Sequence, residues 1–181
     1  MKIRLLSLFL LWYVIPSADV TYAQISKDSV LSKGSHNAID SLYNARCDRT
    51  VAQIIRFAKT YIGTPYTWGG NGEDSFDCSG FVKFVYGHFG IEIPRHSKWQ
   101  CNSGEFVPIT KIKKGDLVFF ISGSYPNRDI THVGIVISDY QDENFRFIHA
   151  CKGAGEVCIN QYKDDYYYHA YGGARRFPLC D

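Results

Sequence analysis

The first half of the chain carries apolar residues at helical spacing in two segments. The segment from Thr50 to Tyr61 has the spacing of a helix, and Gly63 ends it. Its predicted apolar face consists of Val51, Ile54, Ile55, Ala58 and Ile62. From Cys78 to about Phe89 they again recur at helical spacing, with Asp77 as the N-cap and Gly90 as the C-terminal stop. The sequence therefore predicts two helices, and Cys78 lies in the first turn of the second.

From Val107 onward the pattern changes to that of β-strands. Short runs of apolar and β-branched residues alternate with Gly, Pro, Asn and Asp, which are typical of turns. The predicted strands are Leu117–Ile121, His132–Ser138, Phe145–Cys151, Val157–Gln161 and Gly173–Phe177. Strands that follow one another through short turns favour an antiparallel sheet. We expect an α+β domain whose N-terminal helices pack on one face of a sheet of about five strands.

The N-terminal segment 1–23 has the layout of a secretory signal peptide: two basic residues followed by an apolar run from Leu5 to Ile15. The run is too short to span a bilayer. The polar segment 24–47 has no sustained period and is expected to be a flexible lead-in to a domain at 48–181. We expect an exported, periplasmic or extracellular monomer without stable membrane insertion.

Charge adds one exclusion. The chain has 20 Lys and Arg against 18 Asp and Glu, and no basic stripe, so nucleic acid is not an expected partner. Aromatic residues make up 15% of the chain, with Tyr the commonest. Tyrosine combines apolar area with a hydroxyl, which suits a groove for a polar polymer.

Six cysteines in an exported chain favour disulfides. If Cys78 stays free, an odd number remains, so they cannot all pair: Cys47, Cys101, Cys151, Cys158 and Cys180. Cys151 and Cys158 flank a glycine-containing segment that could form a hairpin turn, which makes them one candidate pair. The chain has no CxxC motif and no zinc-like spacing, so neither a metal nor another cofactor is expected.

Cys78 has the position of a nucleophile, because the free N–H groups and the dipole of a first helical turn favour a thiolate. The alternative is a small apolar side chain in the core. A cysteine nucleophile needs a base. His132 and His149 are the best candidates, because antiparallel pairing would bring the start of one predicted strand beside the end of the next. Alone, each could instead be an ordinary strand histidine.

Several motifs occur in the order found in NlpC-type papain-like cysteine peptidases, which cut peptidoglycan stem peptides. The resemblance covers roughly 51–177. The matching segments are Tyr66–Gly70, Asp77–Val82, Ile93–Arg95 with Ser97 and Gln100, Lys114–Phe120, His132–Ile135 and Phe147–Ala150. The resemblance implies a papain-like fold, with Cys78 as nucleophile, His132 as general base and acid, and His149 as the residue that orients His132.

The resemblance also implies substrate-binding positions. Tyr66 would place its hydroxyl near the nucleophile, to hold the oxyanion or the substrate. Asp77 and Ser79 match positions that help to hold the substrate amine in family members that act on free-ended peptides. Ser97 matches a nearby position that contacts substrate. From the residues alone, Asp77 is equally well explained as a helix N-cap, and both serines as solvated hydroxyls.

The expected activity is hydrolysis of the amide bond between D-glutamate and the following diamino acid of peptidoglycan peptides. An amidase that cuts the sugar–peptide link on the same fold is the first alternative. A non-catalytic wall-binding module with structural cysteines is the second. Housekeeping and effector roles both remain open.

Overall fold

The observed elements follow the predicted order of helices first and strands afterwards. The structure, a computed structural model, describes residues 22–123, 126 and 128–179, with the backbone alone for 22–35. Within these residues the helices are α1 (Tyr22–Lys59), α2 (Cys78–Gly87), α3 (Ser97–Cys101) and α4 (Asp165–Ala170), with a 3₁₀ turn at Ile109–Lys111. The strands are β1 (Asn71–Gly72), β2 (Ser75–Phe76), β3 (Glu105–Phe106), β4 (Leu117–Ser122), β5 (Asp129–Val136), β6 (Arg146–Cys151), β7 (Glu156–Gln161) and β8 (Tyr171–Arg176). Except for its last two positions, the predicted signal peptide lies outside the described residues.

The first helix is longer than predicted. The sequence predicts a start at Thr50, whereas helical backbone begins at the first described residue, so the segment 24–47 is helical and not irregular. No proline occurs between residues 17 and 64, so nothing forbids a helix there. The side chains of 36–46 are exposed. A helical segment with exposed side chains needs no apolar stripe. This explains why the hydrophobic pattern did not predict a helix there.

The chain divides into two units, 1–41 and 42–181. The described part of the first is helical backbone throughout. In the second, Ile54, Ile55 and Ala58 of α1 are buried as predicted, whereas Ile62 follows the end of the helix and is exposed. No helix among the described residues has the length and apolar character needed to cross a bilayer.

In the described part of the chain the main sheet has six antiparallel strands, one more than predicted, in the order β3-β8-β4-β5-β6-β7. The strands from β4 to β7 are consecutive neighbours, as expected. The last strand, β8, does not extend this series beyond β7 but returns to pair with β4 and β3. A separate hairpin, β1–β2, precedes α2. The two-residue strands are too short to produce a recognisable alternation.

The two faces of the sheet bury different elements. On one face, Phe119 and Ile135 belong to the same apolar cluster as the buried residues of α1 and α2. On the other face, Phe120 and Phe147 pack against Tyr167 of α4. The predicted α+β class, with N-terminal helices on one face of an antiparallel sheet, is confirmed. The helix α4, which the sequence analysis missed, covers part of the opposite face.

A buried ion pair joins the turn before β4 to β8. Asp116 is 1% exposed. Its Oδ1 accepts a hydrogen bond from Nε of Arg176 at 2.7 Å, and its Oδ2 accepts one from Nη2 at 2.8 Å. Asp116 also accepts a hydrogen bond from the N–H of Lys113, within the turn before β4. Because an unpaired buried carboxylate is costly, this two-pronged contact keeps β8 beside β4.

The cysteines only partly follow the prediction. Cys47 is disulfide-bonded. Four described cysteines are free: Cys78, Cys101, Cys151 and Cys158. The candidate disulfide between Cys151 and Cys158 is therefore wrong. The β6–β7 register pairs each of them with a different residue of the opposite strand, so they lie diagonally across the hairpin. Cys180 lies outside the described residues.

The loop before α2 and the first turn of α2 approach each other closely. A side chain at Gly80 would overlap the carbonyl oxygen of Gly70, and one at Gly70 would lie 2.8 Å from the carbonyl oxygen of Ser75. Only glycine leaves enough space at these two positions. Because Gly70 and Gly80 have no side chains, the β1–β2 hairpin packs directly against the start of α2.

Replacing Gly80 with alanine should lower the free energy of unfolding by about 2 kcal/mol or more, because the added methyl group meets fixed backbone. Gly87→Ala in the same helix is the matched control. A Cβ there meets nothing within 4 Å, and alanine favours a helix over glycine by up to about 1 kcal/mol. Urea unfolding measures both, and equal stability of the two variants would contradict the close approach.

Candidate active site

The first turn of α2 is capped by Asp77, as predicted. Its Oδ1 accepts a hydrogen bond from the N–H of Gly80 at 2.6 Å, and its Oδ2 accepts one from the N–H of Gly69 at 3.0 Å. Arg95 bridges both oxygens, with Nη2 2.7 Å from Oδ2 and Nη1 3.0 Å from Oδ1. Burial alone would raise the pKa of Asp77, but the hydrogen bonds, led by those of Arg95, lower it overall. The ionised carboxylate thus connects the loop at Gly69, the first turn of α2 and Arg95 through hydrogen bonds.

The same network holds Ser79. Its hydroxyl donates to Oδ1 of Asp77 at 3.1 Å and accepts from Nη1 of Arg95 at 3.1 Å. Both carboxylate oxygens of Asp77 are engaged within the protein, so a substrate amine would have to compete with Arg95. The observed contacts of Asp77 and Ser79 are therefore structural ones. The sequence analysis gave Arg95 no role, although it belongs to one of the matching motifs.

Cys78 is the first residue of α2 and is 7% exposed. Its Sγ lies 3.8 Å from the carbonyl oxygen of Thr131. The N–H of Val133 also hydrogen-bonds towards the sulfur. These are the residues directly before and after His132. The fold thus holds the thiol against the segment of β5 that carries His132.

In this arrangement the thiol of Cys78 is protonated. Burial raises its pKa to about 11, and the neighbouring Asp77 carboxylate adds to the rise. The N–H groups of Val133, Ser79 and Cys78 itself act in the opposite direction but do not compensate. The N–H groups at the helix start do favour the thiolate, as the sequence predicts, but desolvation outweighs them. The thiol needs a base.

The two predicted histidines lie together. Nε2 of His132 is 2.7 Å from Nδ1 of His149, which confirms that the imidazoles are neighbours. His149 is fully buried and His132 half-buried. Burial lowers the pKa of both rings, and repulsion by a protonated His149 would lower the pKa of His132 further, so both rings are neutral near pH 7. One detail of the prediction is wrong: β5 begins at Asp129, so His132 lies inside the strand rather than at its start.

Gly134 makes room for this pair. Ile135 pairs with Ile148, so one residue further along the same register Gly134 faces His149. A Cβ at Gly134 would lie 2.7 Å from Cδ2 of Phe147 and 3.3 Å from Cβ of His149. Without a side chain at this position, the ring of His149 reaches diagonally to His132.

A chain of hydrogen bonds determines which nitrogen of each ring carries the proton. Nδ2 of Asn160 donates to the Asp164 carboxylate at 3.0 Å, so Oδ1 of Asn160 faces Nε2 of His149, also at 3.0 Å. We assign the proton of His149 to Nε2, where it is donated to Asn160. Nδ1 of His149 then accepts from Nε2 of His132. The other nitrogen of His132, Nδ1, keeps the lone pair that a base requires.

Asn160 and Asp164 were not predicted, although a signal for Asn160 exists. Cys158 pairs with His149 across the β6–β7 hairpin. Alternation along the strand then places Asn160, two residues later, on the same face. The sequence analysis identified both strands but did not assign the register that this inference needs.

Two cavities reach the site. One, of about 180 Å³, is lined by Cys78 together with Tyr66, Ser97 and Trp68, so the thiol is accessible despite its small exposure. The other, of about 570 Å³, is lined in part by His132. Burial, with the charges of Cys78 and Asp77, raises the pKa of Tyr66, so its hydroxyl keeps its proton and can donate. Trp68 is 85% exposed and forms an open wall.

A known protein family matches the part of the chain that contains this site. The model of the NlpC/P60 family matches residues 63–176, more than half of the chain, and this range contains every residue of the site described above. The chain belongs to the NlpC/P60 family. The predicted resemblance is thereby confirmed.

In sequence, this NlpC/P60 chain is 44% identical over 88 residues to a probable endopeptidase p60 of Listeria innocua, covering 49% of this chain and 18% of that protein. It is 35% identical over 124 residues to a gamma-D-glutamyl-L-lysine dipeptidyl-peptidase of Bacillus cereus, covering 68% of this chain and 35% of that protein. The chain thus matches less than a fifth of the length of the Listeria protein.

In structure, an NlpC/P60 family protein from Bacillus cereus superimposes with a TM-score of 0.63 at 34% identity, covering 70% of this chain and 40% of that chain. The NlpC/p60 domain of the peptidoglycan hydrolase SagA gives a TM-score of 0.57 at 31% identity, covering 70% of this chain and 98% of that domain.

The NlpC/P60 domain should lose stability in acid because His132 and His149 are held neutral. In the unfolded chain both rings protonate near pH 6.5, whereas in the folded protein their lowered pKa delays uptake. The free energy of unfolding should therefore fall as pH drops below about 6.5, by up to about 1.4 kcal/mol per pH unit for each histidine. Urea unfolding at pH 7, 6 and 5 measures this slope.

His149→Asn removes one of the two titrating rings and should reduce the slope between pH 6 and 5. The slope is the quantity to compare, because the substitution also changes the stability itself. An unchanged slope would mean that His149 does not titrate differently in the folded and unfolded states.

Proposed function

We propose that this chain is an exported cysteine endopeptidase that hydrolyses the stem peptides of peptidoglycan. The observation that carries the proposal is the 2.7 Å hydrogen bond between His132 and His149, with the thiol of Cys78 held against the strand segment around His132. A thiol, a neutral base and a group that orients the base are the requirements of nucleophilic attack on an amide. The family match and the names of the relatives support the same reaction class.

In the first half of the reaction, Cys78 Sγ attacks the scissile carbonyl carbon while Nδ1 of His132 takes the thiol proton. The tautomer assigned above makes this nitrogen available. The C–N bond then breaks, and His132 returns the proton to the leaving amine. The acyl group stays on the sulfur as a thioester.

The oxyanion needs hydrogen-bond donors close to the sulfur. The backbone N–H of Cys78 lies in the first turn of α2 and has no partner within the helix. The Tyr66 hydroxyl lines the same cavity as Cys78 and keeps its proton. We assign these two groups to the oxyanion and Ser97, in the same cavity, to a substrate contact.

In the second half, water attacks the thioester. His132 removes a proton from the water and delivers it to the departing sulfur, which restores the thiol and releases the carboxylic acid. His149 takes no proton in either half. It holds the ring of His132 through the bond to Nε2, and this bond matters most when His132 carries positive charge.

We assign the cleaved bond to the D-glutamyl–diamino acid amide. The relative from Bacillus cereus is named for a gamma-D-glutamyl-L-lysine bond, which supports this choice. The exposed Trp68 beside Cys78 offers a flat apolar surface to a polymeric substrate. The signal-like pattern at 1–23 supports export to the wall.

Cys78→Ala should abolish cleavage of defined muropeptides, because no other group in the proposed mechanism supplies a nucleophile. Cys101→Ala is the matched control, since Cys101 is also a free, buried cysteine but has no role in the mechanism. Mass spectrometry of the products measures cleavage and locates the bond. Cleavage by Cys78→Ala at the wild-type rate would refute the nucleophile assignment, and products split at the sugar–peptide link would identify an amidase.

Asn160→Ala should lower kcat between about 10- and 100-fold with little change in KM, because His149 loses the acceptor that fixes its tautomer. Asn160 is a positioning residue, so a second measurement is needed. Proton–nitrogen NMR correlation of the imidazoles should show Nε2–H tautomers in the wild type and a mixture in the variant. Asn102→Ala, at an exposed asparagine after α3, is the control. Unchanged tautomers together with a lower kcat would show that Asn160 acts in another way.

A further inference from the structure

A cluster of four side chains with metal-binding atoms lies directly behind the catalytic pair. Nε2 of His149 is 3.7 Å from Sγ of Cys158 and 3.4 Å from the hydroxyl of Tyr167, and that hydroxyl is 3.8 Å from Sγ of Cys151. No two of the ligand atoms of His149, Cys151 and Cys158 are more than 4.8 Å apart. Each residue comes from β6, β7 or α4, so folding and not sequence spacing brings them together.

These distances fit a tetrahedral ion. Zinc bonds of about 2.0–2.3 Å to nitrogen and sulfur place the ligand atoms about 3.3–3.8 Å apart. The three measured separations lie in this range, and the longest separation in the cluster needs to shorten by roughly 1 Å. Both cysteines are free thiols and are not committed to a disulfide.

An access route to the cluster exists. The cavity of about 570 Å³ is lined by Cys151, Lys152, Gly153, Tyr166, Tyr167 and His132. A hydrated ion can therefore approach Cys151 and Tyr167 from solvent. Two thiolates balance the charge of a divalent ion, so the half-buried cluster would carry no net charge when filled.

We propose that His149, Cys151 and Cys158 form a Zn²⁺ site, with the Tyr167 hydroxyl or a water molecule as the fourth ligand. Binding releases two protons, one from each thiol. Nε2 of His149 must then give its lone pair to the metal. The prediction of no metal site relied on the spacing of cysteines and histidines along the sequence. That spacing does not reveal that β6 and β7 place these side chains on the same face of the hairpin.

A zinc ion in this site would prevent His132 from acting as a base. With Nε2 bound to zinc, the proton of His149 moves to Nδ1, where it is donated to Nε2 of His132. His132 then carries its own proton on Nδ1 and cannot accept the proton of the Cys78 thiol. Asn160 loses its hydrogen-bond donor at the same time. Zinc binding therefore excludes the catalytic tautomer, and this consequence rests on the proposed function.

Cobalt tests the site without depending on activity. Reduced, metal-free full-length chain carrying Cys78→Ala is titrated with Co²⁺ in the absence of oxygen. The expected result is one equivalent of Co²⁺ with thiolate-to-metal absorption in the near ultraviolet and intense tetrahedral bands in the visible. Zn²⁺ should bleach these bands, because it binds such sites more tightly than Co²⁺.

In the same background, Cys151→Ser together with Cys158→Ser should remove the thiolate absorption, and Cys101→Ser should not. Circular dichroism and unfolding temperature establish that each variant is folded, and the single variant Cys151→Ser, at a half-buried position, provides a milder change. Bands that persist in the double variant, or a reductant-resistant Cys151–Cys158 disulfide in place of metal uptake, would overturn the proposal.

Activity tests the consequence separately. Zn²⁺ should inhibit muropeptide cleavage by the chain with Cys78 intact, and the two serine substitutions should weaken that inhibition by a factor of about 10 or more. Equal inhibition of both proteins would place the inhibitory ion elsewhere and overturn the tautomer switch. If the metal-free chain cleaves nothing, the proposed function fails, while the cobalt titration still decides whether the site exists.

Discussion

The hydrogen bond between His132 and His149 imposes conditions on much of the structure. It requires His149 to be neutral, so that its Nδ1 can accept the hydrogen bond, and burial of His149 ensures this. It requires a glycine at position 134, because a side chain there would press on Phe147 and His149. It also requires an acceptor for the second nitrogen of His149, which Asn160 supplies. Residues of several strands thus meet the requirements of this contact. The positions of the protons on the two rings determine which atom of His132 can act as a base.

The site combines two opposing electrostatic effects. Burial keeps the histidines uncharged and available as bases, but it also keeps the Cys78 thiol protonated. The helix N-terminus and the N–H of Val133 offset only part of this cost. Asp77 adds negative charge next to the sulfur, and its pairing with Arg95 limits that effect. In the proposed mechanism the resting site therefore holds a neutral pair, and charge develops only when a substrate carbonyl is attacked.

Local patterns predicted the helix at Cys78, its Asp77 cap, the strands β4 to β7 and the proximity of two histidines. They failed where the structure depends on contacts between residues distant in sequence, or where a segment has no hydrophobic periodicity. The return of β8 to pair with β4 is accompanied by the Asp116–Arg176 ion pair, whose partners are far apart in sequence. The exposed part of α1 has no apolar stripe. The roles of Arg95 and Asn160 depend on contacts with residues that are distant in sequence. The Cys78 thiol is protonated because it is buried, and the sequence does not show how deeply it is buried.

The position of β8 between β3 and β4 affects the order in which the chain can acquire its structure. Until residues 171–176 are available, β4 has one open edge and β3 has no partner in the main sheet. The pairing of β8 with β3 and β4 closes long loops, which is slow compared with hairpin formation. During synthesis the sheet therefore stays incomplete until residues 171–176 have emerged.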